Sequence, residues 1–155
     1  MIRISSTLAD GAVRTGVACT NKAAILAKLA KLAADNYGVD AQAVLDGLNE
    51  RENLGATGFG GGSAIPHTKI EGLQAPVGLF LRLEHPVPYD AVDDEPVDLV
   101  FCLISPAHDG AAHLRALAEV SRMLRDDDSC SHLRGAQDAG AVFALLTMPP
   151  ERNAA

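Results

Sequence analysis

His67 is the side chain whose setting in this sequence points most directly to chemistry. It lies in the stretch GGSAIPHTKI, residues 61–70, directly after a proline and close behind a glycine-rich run. A histidine in such a setting is a packed ring, a metal ligand, or a group that transfers protons or attacks as a nucleophile. Strand ends and adjoining loops are where α/β folds place reactive groups, and SAIPH is predicted to be a short strand.

Among the other four histidines, His113 has a comparable setting. It falls in the first turn of a predicted helix, on the same side as Leu117 and Val120, so it can point into a cleft at the helix N-terminus. The remaining three lie in a proline-flanked turn, a loop and a short polar helix, and are expected to have no role in the chemistry: His85, His108 and His132.

Two familiar kinds of catalytic site have little support in the spacing. His108 and His113 are five residues apart, not the four of HExxH, and no glutamate stands between them. A zinc site made of His67, His113 and a carboxylate stays geometrically open, although nothing in the spacing requires it. Ser63 lacks the GxSxG turn of a serine hydrolase. We therefore expect neither a metal nor a cofactor.

The glycine run at residues 55–62, GATGFGGG, is not predicted to bind a nucleotide. A dinucleotide fingerprint needs a strand before the glycines and a helix after them, whereas here a helix precedes and a strand follows. A P-loop needs GK[ST] at its end, and the sequence has no such triplet. The run predicts a turn with positive φ angles. Its small residues would also let backbone N–H groups approach an anion beside His67.

Alternating helical and strand patterns surround these residues. Capping residues and helical spacing predict five helices: residues 21–36 with a Thr20 or Asn21 cap and a Gly38 stop, from Asp40 to about Leu54, from Asp109 or Gly110 onward, near 128–135, and at 138–147. The third helix is expected to bury a stripe of Leu114, Leu117, Val120 and Leu124. Strands are predicted at 2–4, at SAIPH with an interruption at Pro66, at 76–83 and at 97–104. The fold class expected is α/β, a small mixed sheet sandwiched between helices.

The bulk properties of the 155 residues exclude several classes of protein. A net charge of −7 with 4% aromatic residues argues against a nucleic-acid partner. We expect no membrane insertion and no signal peptide, because no apolar run approaches the roughly 18 residues of a span. Three cysteines without CxxC spacing predict reduced thiols and a cytoplasmic location. One domain is expected over 1–148, with a frayed tail at 149–155.

Two separated motifs resemble a known family. Residues 51–69, RENLGATGFGGGSAIPHTK, look like the active-site signature of the IIA domains of the phosphoenolpyruvate-dependent phosphotransferase system. The mannitol/fructose class, which includes the nitrogen-regulatory IIA proteins, is the most similar type. Further along, DDEPVDLVFCLISP and HLRALAEVSRMLRD resemble the second block of that family. The likeness extends from the first helix to about residue 147, and it implies the same sandwich fold.

The resemblance also implies roles for three residues. His67 matches the histidine that is phosphorylated in the family, Arg51 the arginine that contacts the phosphoryl group, and His113 a second histidine in the same pocket. Thr68 stands where the family usually has glycine. If that position has a positive φ angle, a β-branched residue would strain the turn or displace the ring of His67. Ala56 in place of the usual serine is a milder departure.

The function implied is that of a phosphohistidine carrier, a phosphotransferase component with a covalent intermediate on His67. It would accept phosphate from an HPr-like carrier, itself charged by enzyme I, and regulate partners such as potassium-transport or sensor-kinase components. Two alternatives remain open from the sequence. One is a binding-only regulator with weakened phosphorylation, which Thr68 keeps open. The other is a sugar-specific IIA subunit that donates phosphate to a IIB domain.

Overall fold

A computed structural model describes residues 4–148, and in it helices cover both faces of a mixed six-stranded sheet. The elements are a 3-10 turn Ile4–Ser6, β1 Leu8–Val17, α1 Lys22–Tyr37, α2 Ala41–Leu54, β2 Gly58–Gly60, β3 Ser63–Ala64, β4 His67–Ile70, β5 Val77–Val87, β6 Val97–Pro106, α3 Gly110–Leu124, α4 Asp127–Gly135 and α5 Ala139–Thr147. The expected α/β sandwich is confirmed. The tail predicted to fray, 149–155, lies outside the described residues.

The strand order is β1-β5-β6-β3-β2, and β4 also pairs with β6. β5 and β6 are antiparallel, whereas β1 runs parallel to β5, and β3 and β4 run parallel to β6. β3 and β4 share one register along β6, with Ser63 opposite Leu99 and His67 opposite Leu103. Pro66 separates them because it has no N–H for the ladder, although its carbonyl still accepts from Leu103 N at 3.0 Å. His67 therefore begins a strand midway along β6.

The central strand β6 is buried on both faces, as its continuous apolar run predicts. Val100, Cys102 and Ile104 pack with α1 and α2, whereas Leu99 and Phe101 pack with α3, α4 and α5. Successive side chains of β6 therefore point to opposite faces of the sheet and belong to two different hydrophobic layers. Burial of this kind stabilises by about 25 cal/mol per Å² of apolar surface, so β6 is a rigid support for the neighbouring β4.

The predicted helix boundaries are confirmed by their caps. The side chains of Asn21, Asp40 and Asp109 each accept a hydrogen bond from a backbone N–H in the first turn of α1, α2 and α3. Gly38 ends α1 in the left-handed region, at φ 69°. These caps fix the ends of α1 and the first turns of α2 and α3, and the first turn of α3 carries His113.

The start of the chain differs from the prediction. Residues 2 and 3 of the predicted early strand lie outside the described part, and Ile4 belongs to a 3-10 turn. The strand that does form is β1, ten residues long, which the sequence did not predict. Its pairing with β5 contains register shifts, and Gly16 has φ 63°, so burial does not alternate regularly along it.

Two further predictions were wrong. Leu114 was placed on the buried stripe of α3, but it is 67% exposed, and the buried face of the first two turns is formed by Ala112, His113 and Ala116. His85 was placed in a turn, whereas it lies inside β5, which continues to Val87. Leu114 lies about 100° around the helix from His113, so it turns away from the face of α3 that packs on β6.

Candidate functional site

The three residues singled out by sequence meet at the edge of the sheet where β4 begins. Arg51 comes from the last turn of α2, His67 from the first residue of β4, and His113 from the first turn of α3. Arg51 Nε lies 3.2 Å from His67 Nε2, and the centroids of the two imidazole rings are 5.5 Å apart at 45°. The two helices belong to opposite layers, so the site lies where both layers reach the same edge.

The hydrogen bonds of His67 assign its tautomer. Nδ1 lies 2.7 Å from the carbonyl oxygen of Ile65, and because a carbonyl oxygen only accepts, Nδ1 carries the hydrogen. Nε2 is then the nitrogen with a lone pair, and it accepts from Arg51 Nε. Burial lowers the pKa of His67, the Arg51 charge lowers it further, and the bond to Ile65 and the Glu52 charge oppose the shift. The ring is therefore neutral and nucleophilic at neutral pH.

His113 is buried, and its Nδ1 lies 2.6 Å from Ser105 Oγ. Burial lowers the pKa of His113 to about 4, with smaller contributions from His67 and Lys69. At neutral pH this ring is uncharged and offers one N–H and one lone pair. Ser105 is the last residue but one of β6, so the rigid central strand fixes the orientation of His113.

Arg51 has donors left for an anion. Its Nη1 donates to the carbonyl oxygen of Gly55 at 2.9 Å, and its Nε donates to His67. These are its two hydrogen bonds within residues 4–148, whereas a guanidinium has about five N–H donors. The rest can bind oxygen atoms of an anion placed at His67 Nε2, where a permanently charged, planar donor is well suited to phosphate.

A buried polar cluster behind Arg51 was missed by the sequence analysis. Glu52, 9% exposed, pairs with Lys22 Nζ at 2.7 Å and accepts from Thr57 N and from the phenol of Tyr89. Burial, with Glu52 beside it, holds the pKa of Tyr89 well above its usual value, so the phenol donates. One signal was available, because Glu52 continues the four-residue spacing of the buried Val44 and Leu48.

Thr68 is accommodated without strain. It lies in β4 opposite Ile104, and the non-glycine residues with positive φ angles in the described range are Asp90 and Asp94. Thr68 therefore does not have a positive φ angle, and a β-branched side chain causes no backbone strain at this position. Its side chain packs on Gly47 of α2, where an added Cβ would lie 3.1 Å from Thr68 Cβ. Because Gly47 has no side chain, α2 leaves room for the threonine on β4.

The glycine run forms the turn with positive φ angles that the sequence predicts. Gly61 and Gly62, at φ 67° and 81°, connect β2 to β3. Gly61 N donates to Asp93, and Gly61 O accepts from Arg134, whose guanidinium also pairs with Asp98. The amide of Gly61 is thus engaged away from His67, and these contacts hold the hairpin in place.

The described residues also include three free thiols and five helices, but no cluster of metal ligands. Within residues 4–148 no group of three or more His, Cys, Asp or Glu side chains is arranged to hold a metal ion. Cys102 and Cys130 are buried free thiols, and Cys19 is half-buried. None of the described helices is long and apolar enough to cross a membrane.

Residues 6–148 match the family described as "Phosphoenolpyruvate-dependent sugar phosphotransferase system, EIIA 2". A nitrogen regulatory protein of Bradyrhizobium diazoefficiens is 42% identical over 147 residues, which cover 95% of this chain and 96% of that protein. Its counterpart in Escherichia coli is 38% identical over 148 residues, covering 94% and 90%. The structure of the nitrogen regulatory protein IIA-Ntr from Neisseria meningitidis has a TM-score of 0.84 at 29% identity, covering 93% of this chain and 99% of that one. This chain therefore belongs to the EIIA 2 family of the phosphotransferase system, whose members are phosphotransfer components, and its full-length relatives named here are nitrogen regulatory proteins.

Proposed function

We propose that this protein is a phosphohistidine carrier that accepts a phosphoryl group on Nε2 of His67 from an HPr-like phosphocarrier. The observation that carries the proposal is the pair of contacts to the His67 ring. Ile65 O holds the hydrogen on Nδ1, and Arg51 stands at the nitrogen that keeps its lone pair. A neutral imidazole in this tautomer is a competent nucleophile toward phosphorus.

The transfer step conserves atoms and charge. The lone pair of His67 Nε2 forms a new N–P bond while the N–P bond of the donor phosphohistidine breaks, and that electron pair returns to the donor ring. The hydrogen on His67 Nδ1 stays directed at Ile65 O, so the carbonyl dipole stabilises the positive charge that the phosphorylated ring acquires. The transition state for phosphoryl transfer is loose, and positioning and charge stabilisation therefore dominate the rate.

Arg51 and His113 have complementary roles in this proposal. Arg51 turns its unused N–H groups to the phosphoryl oxygens after its hydrogen bond to Nε2 is replaced by the N–P bond. His113, neutral and 5.5 Å from His67 between ring centroids, donates one hydrogen bond to the phosphoryl group from the opposite side. The single positive charge of Arg51 only partly neutralises the doubly negative phosphoryl group. The N–P bond is therefore stabilised but can still transfer the group onward.

We further propose that the phosphorylation state controls which regulatory proteins bind, in the cytoplasm. The similarity to nitrogen regulatory proteins over nearly the whole chain supports a regulatory outcome. Potassium-transport and sensor-kinase components are the proposed classes of target. Transfer of a PO3− unit to the neutral ring makes the net charge of −7 more negative by one unit and places a doubly negative phosphoryl group at the sheet edge, where a partner would detect it.

A reconstituted relay tests the proposal. Incubation with phosphoenolpyruvate, enzyme I and the HPr-like carrier should add one acid-labile phosphoryl group, measured by intact mass. His67→Ala should abolish this gain in mass. His85→Ala, at an exposed position, should leave it unchanged. Arg51→Ala should slow transfer by about 100-fold, because no positive charge would then position the phosphoryl group or stabilise its transition state. A wild-type protein that gains no phosphoryl group would refute the carrier function.

A further inference from the structure

Glu52 lies behind the site, and its carboxylate is the centre of a buried polar cluster. Lys22 Nζ contacts Oε1 at 2.7 Å, Thr57 N donates to Oε1 at 3.1 Å, and the Thr57 hydroxyl and the Tyr89 phenol both contact Oε2. Lys22 Nζ also lies 4.6 Å from the centroid of the Tyr89 ring. A buried carboxylate is strongly destabilising unless its charge is paired and its lone pairs are satisfied, and here both conditions hold.

One chain of hydrogen bonds leads from this carboxylate to His67. Glu52 holds Thr57 through its N–H and its hydroxyl. The carbonyl oxygen of Thr57 accepts from Ile65 N at 3.1 Å, and the carbonyl oxygen of Ile65 accepts from His67 Nδ1 at 2.7 Å. Ile65, whose carbonyl oxygen selects the His67 tautomer, is therefore held through its own N–H by a residue that Glu52 holds.

A second branch leads to Arg51. The turn at 55–57 is held to Glu52 at both ends, because Gly55 N donates to the backbone carbonyl of Glu52 and Thr57 N donates to its carboxylate. Gly55 O in turn accepts from Arg51 Nη1 at 2.9 Å. The position of the guanidinium thus depends on the same turn that determines the position of His67.

We propose that Glu52, paired with Lys22, is the positioning residue of the phosphoryl-acceptor site. It holds the 55–57 turn so that Ile65 O keeps His67 in the tautomer hydrogenated at Nδ1, and so that Gly55 O keeps Arg51 at Nε2. The inference rests on the proposed carrier function for its kinetic consequence, but its structural consequence, the tautomer of His67, exists without any phosphoryl transfer. Glu52 itself touches neither the phosphoryl group nor the reacting nitrogen.

Three variants test this role. Glu52→Gln keeps the shape and one acceptor oxygen but removes the charge that pairs with Lys22. Glu52→Ala removes every side-chain contact to Thr57 and Tyr89. Glu50→Gln is the matched control, since it makes the same charge change on the same helix at an exposed position. Nitrogen-15 chemical shifts of the His67 ring report its tautomer in each folded variant, and the relay described above reports the rate of phosphorylation.

The wild type and Glu50→Gln should show a single His67 tautomer and rates within about twofold of each other. Glu52→Gln should show a mixture of His67 tautomers and a phosphorylation rate lowered about tenfold, because a small displacement of a nucleophile has an effect of that size. Glu52→Ala should show a more even mixture of tautomers and a still lower rate. The proposal is overturned if Glu52→Gln matches Glu50→Gln in tautomer and rate. If the wild type is not phosphorylated, the carrier function fails, and the tautomer comparison still decides the role of Glu52.

Discussion

The two histidines of the site are kept neutral by their surroundings, and this is their main shared property. Burial lowers the pKa of both, and each also lies near a cation, Arg51 for His67 and Lys69 for His113. A protonated ring at either position would lose a lone pair or repel Arg51. The cation that contacts His67 Nε2 directly is therefore a single guanidinium, which suits the proposed binding and release of a phosphoryl group.

This neutrality predicts how stability depends on pH. The pKa of His113 is about 4 in the folded protein, below the ordinary value of 6.5 that applies to the unfolded chain. Between these values the unfolded chain binds more protons, so the free energy of unfolding falls as the pH is lowered from about 6.5 to 4, by about 2 to 3 kcal/mol for this group. Urea unfolding at a series of pH values between 7 and 4 measures the loss.

His113→Gln isolates the contribution, because carboxylates also titrate toward the lower end of that range. The variant should show a shallower fall in unfolding free energy between pH 6.5 and 5 than the wild type. The lowered pKa of His67 acts in the same direction and remains in both proteins. Equal slopes in the two proteins would show that His113 is not kept neutral by the fold.

The sequence singled out three candidate residues but not the groups that hold them in place. His67, Arg51 and His113 were marked by a motif and by their place at element ends, and the structure brings all three together. Glu52 and Ser105 were not identified, because a carboxylate or a hydroxyl becomes a positioning group only through burial against residues distant in sequence. Glu52 depends on Lys22 and Tyr89, which lie 30 residues before it and 37 after it.

At the scale of elements, the packing of α2 on β4 determines how close the arginine comes to the histidine. Gly47 of α2 faces Thr68 of β4, and an added Cβ at residue 47 would overlap Thr68 Oγ1 and lie 3.1 Å from Thr68 Cβ and 3.2 Å from its Cγ2. Real side chains rarely come so close, so an alanine there would push the helix and the strand apart. Arg51 is one helical turn beyond Gly47, and His67 is adjacent to Thr68.

Gly47→Ala is therefore expected to destabilise the protein by about 1 to 3 kcal/mol, although alanine in a helix interior is normally about 1 kcal/mol better than glycine. The same variant should slow phosphorylation, because the displacement acts on the distance between Arg51 and His67. Urea denaturation and the relay rate measure the two effects.

A double-mutant cycle provides the control. Thr68→Gly removes the side chain that the new methyl group meets, so Gly47→Ala should cost less, or stabilise, in that background, with a coupling free energy of about 1 kcal/mol or more. Additive effects in the cycle would mean that the two residues do not constrain each other, and the threonine at this position would then need another explanation.

The elements themselves were predictable where their signals were local. α1, α2 and α3 have strong caps and helical spacing, and β6 has a continuous apolar run, so their positions were confirmed. β1 was not recognised because register shifts and Gly16 interrupt its alternation, and its stability comes from pairing with β5, about 70 residues later. Leu114 was misplaced because helical spacing gives the faces of a helix but not which one a distant sheet will cover.

At the scale of the whole molecule, exposed leucines follow two of the candidate residues in helices of opposite layers. Leu54, 84% exposed, lies three residues after Arg51 at the end of α2, and Leu114, 67% exposed, follows His113 in α3. In the proposed relay, the phosphocarrier must bring the phosphorus atom of its phosphohistidine to within about 3.5 Å of His67 Nε2, so it must cover the surface around His67. Large apolar side chains at the centre of such a surface are the ones that contribute most to binding.

The double variant Leu54→Ser, Leu114→Ser should therefore raise the KM for the phosphorylated carrier about tenfold or more, with kcat and the melting temperature nearly unchanged, because exposed leucines contribute little to the core. Met148→Ser is the matched control, since Met148 is 46% exposed and follows α5, which packs on β1 at the opposite edge of the sheet. A small phosphoramidate donor needs no protein surface and should phosphorylate all of these proteins at the same rate. If the double variant loses activity equally with both donors, the leucines act on the site itself and not on docking of the carrier.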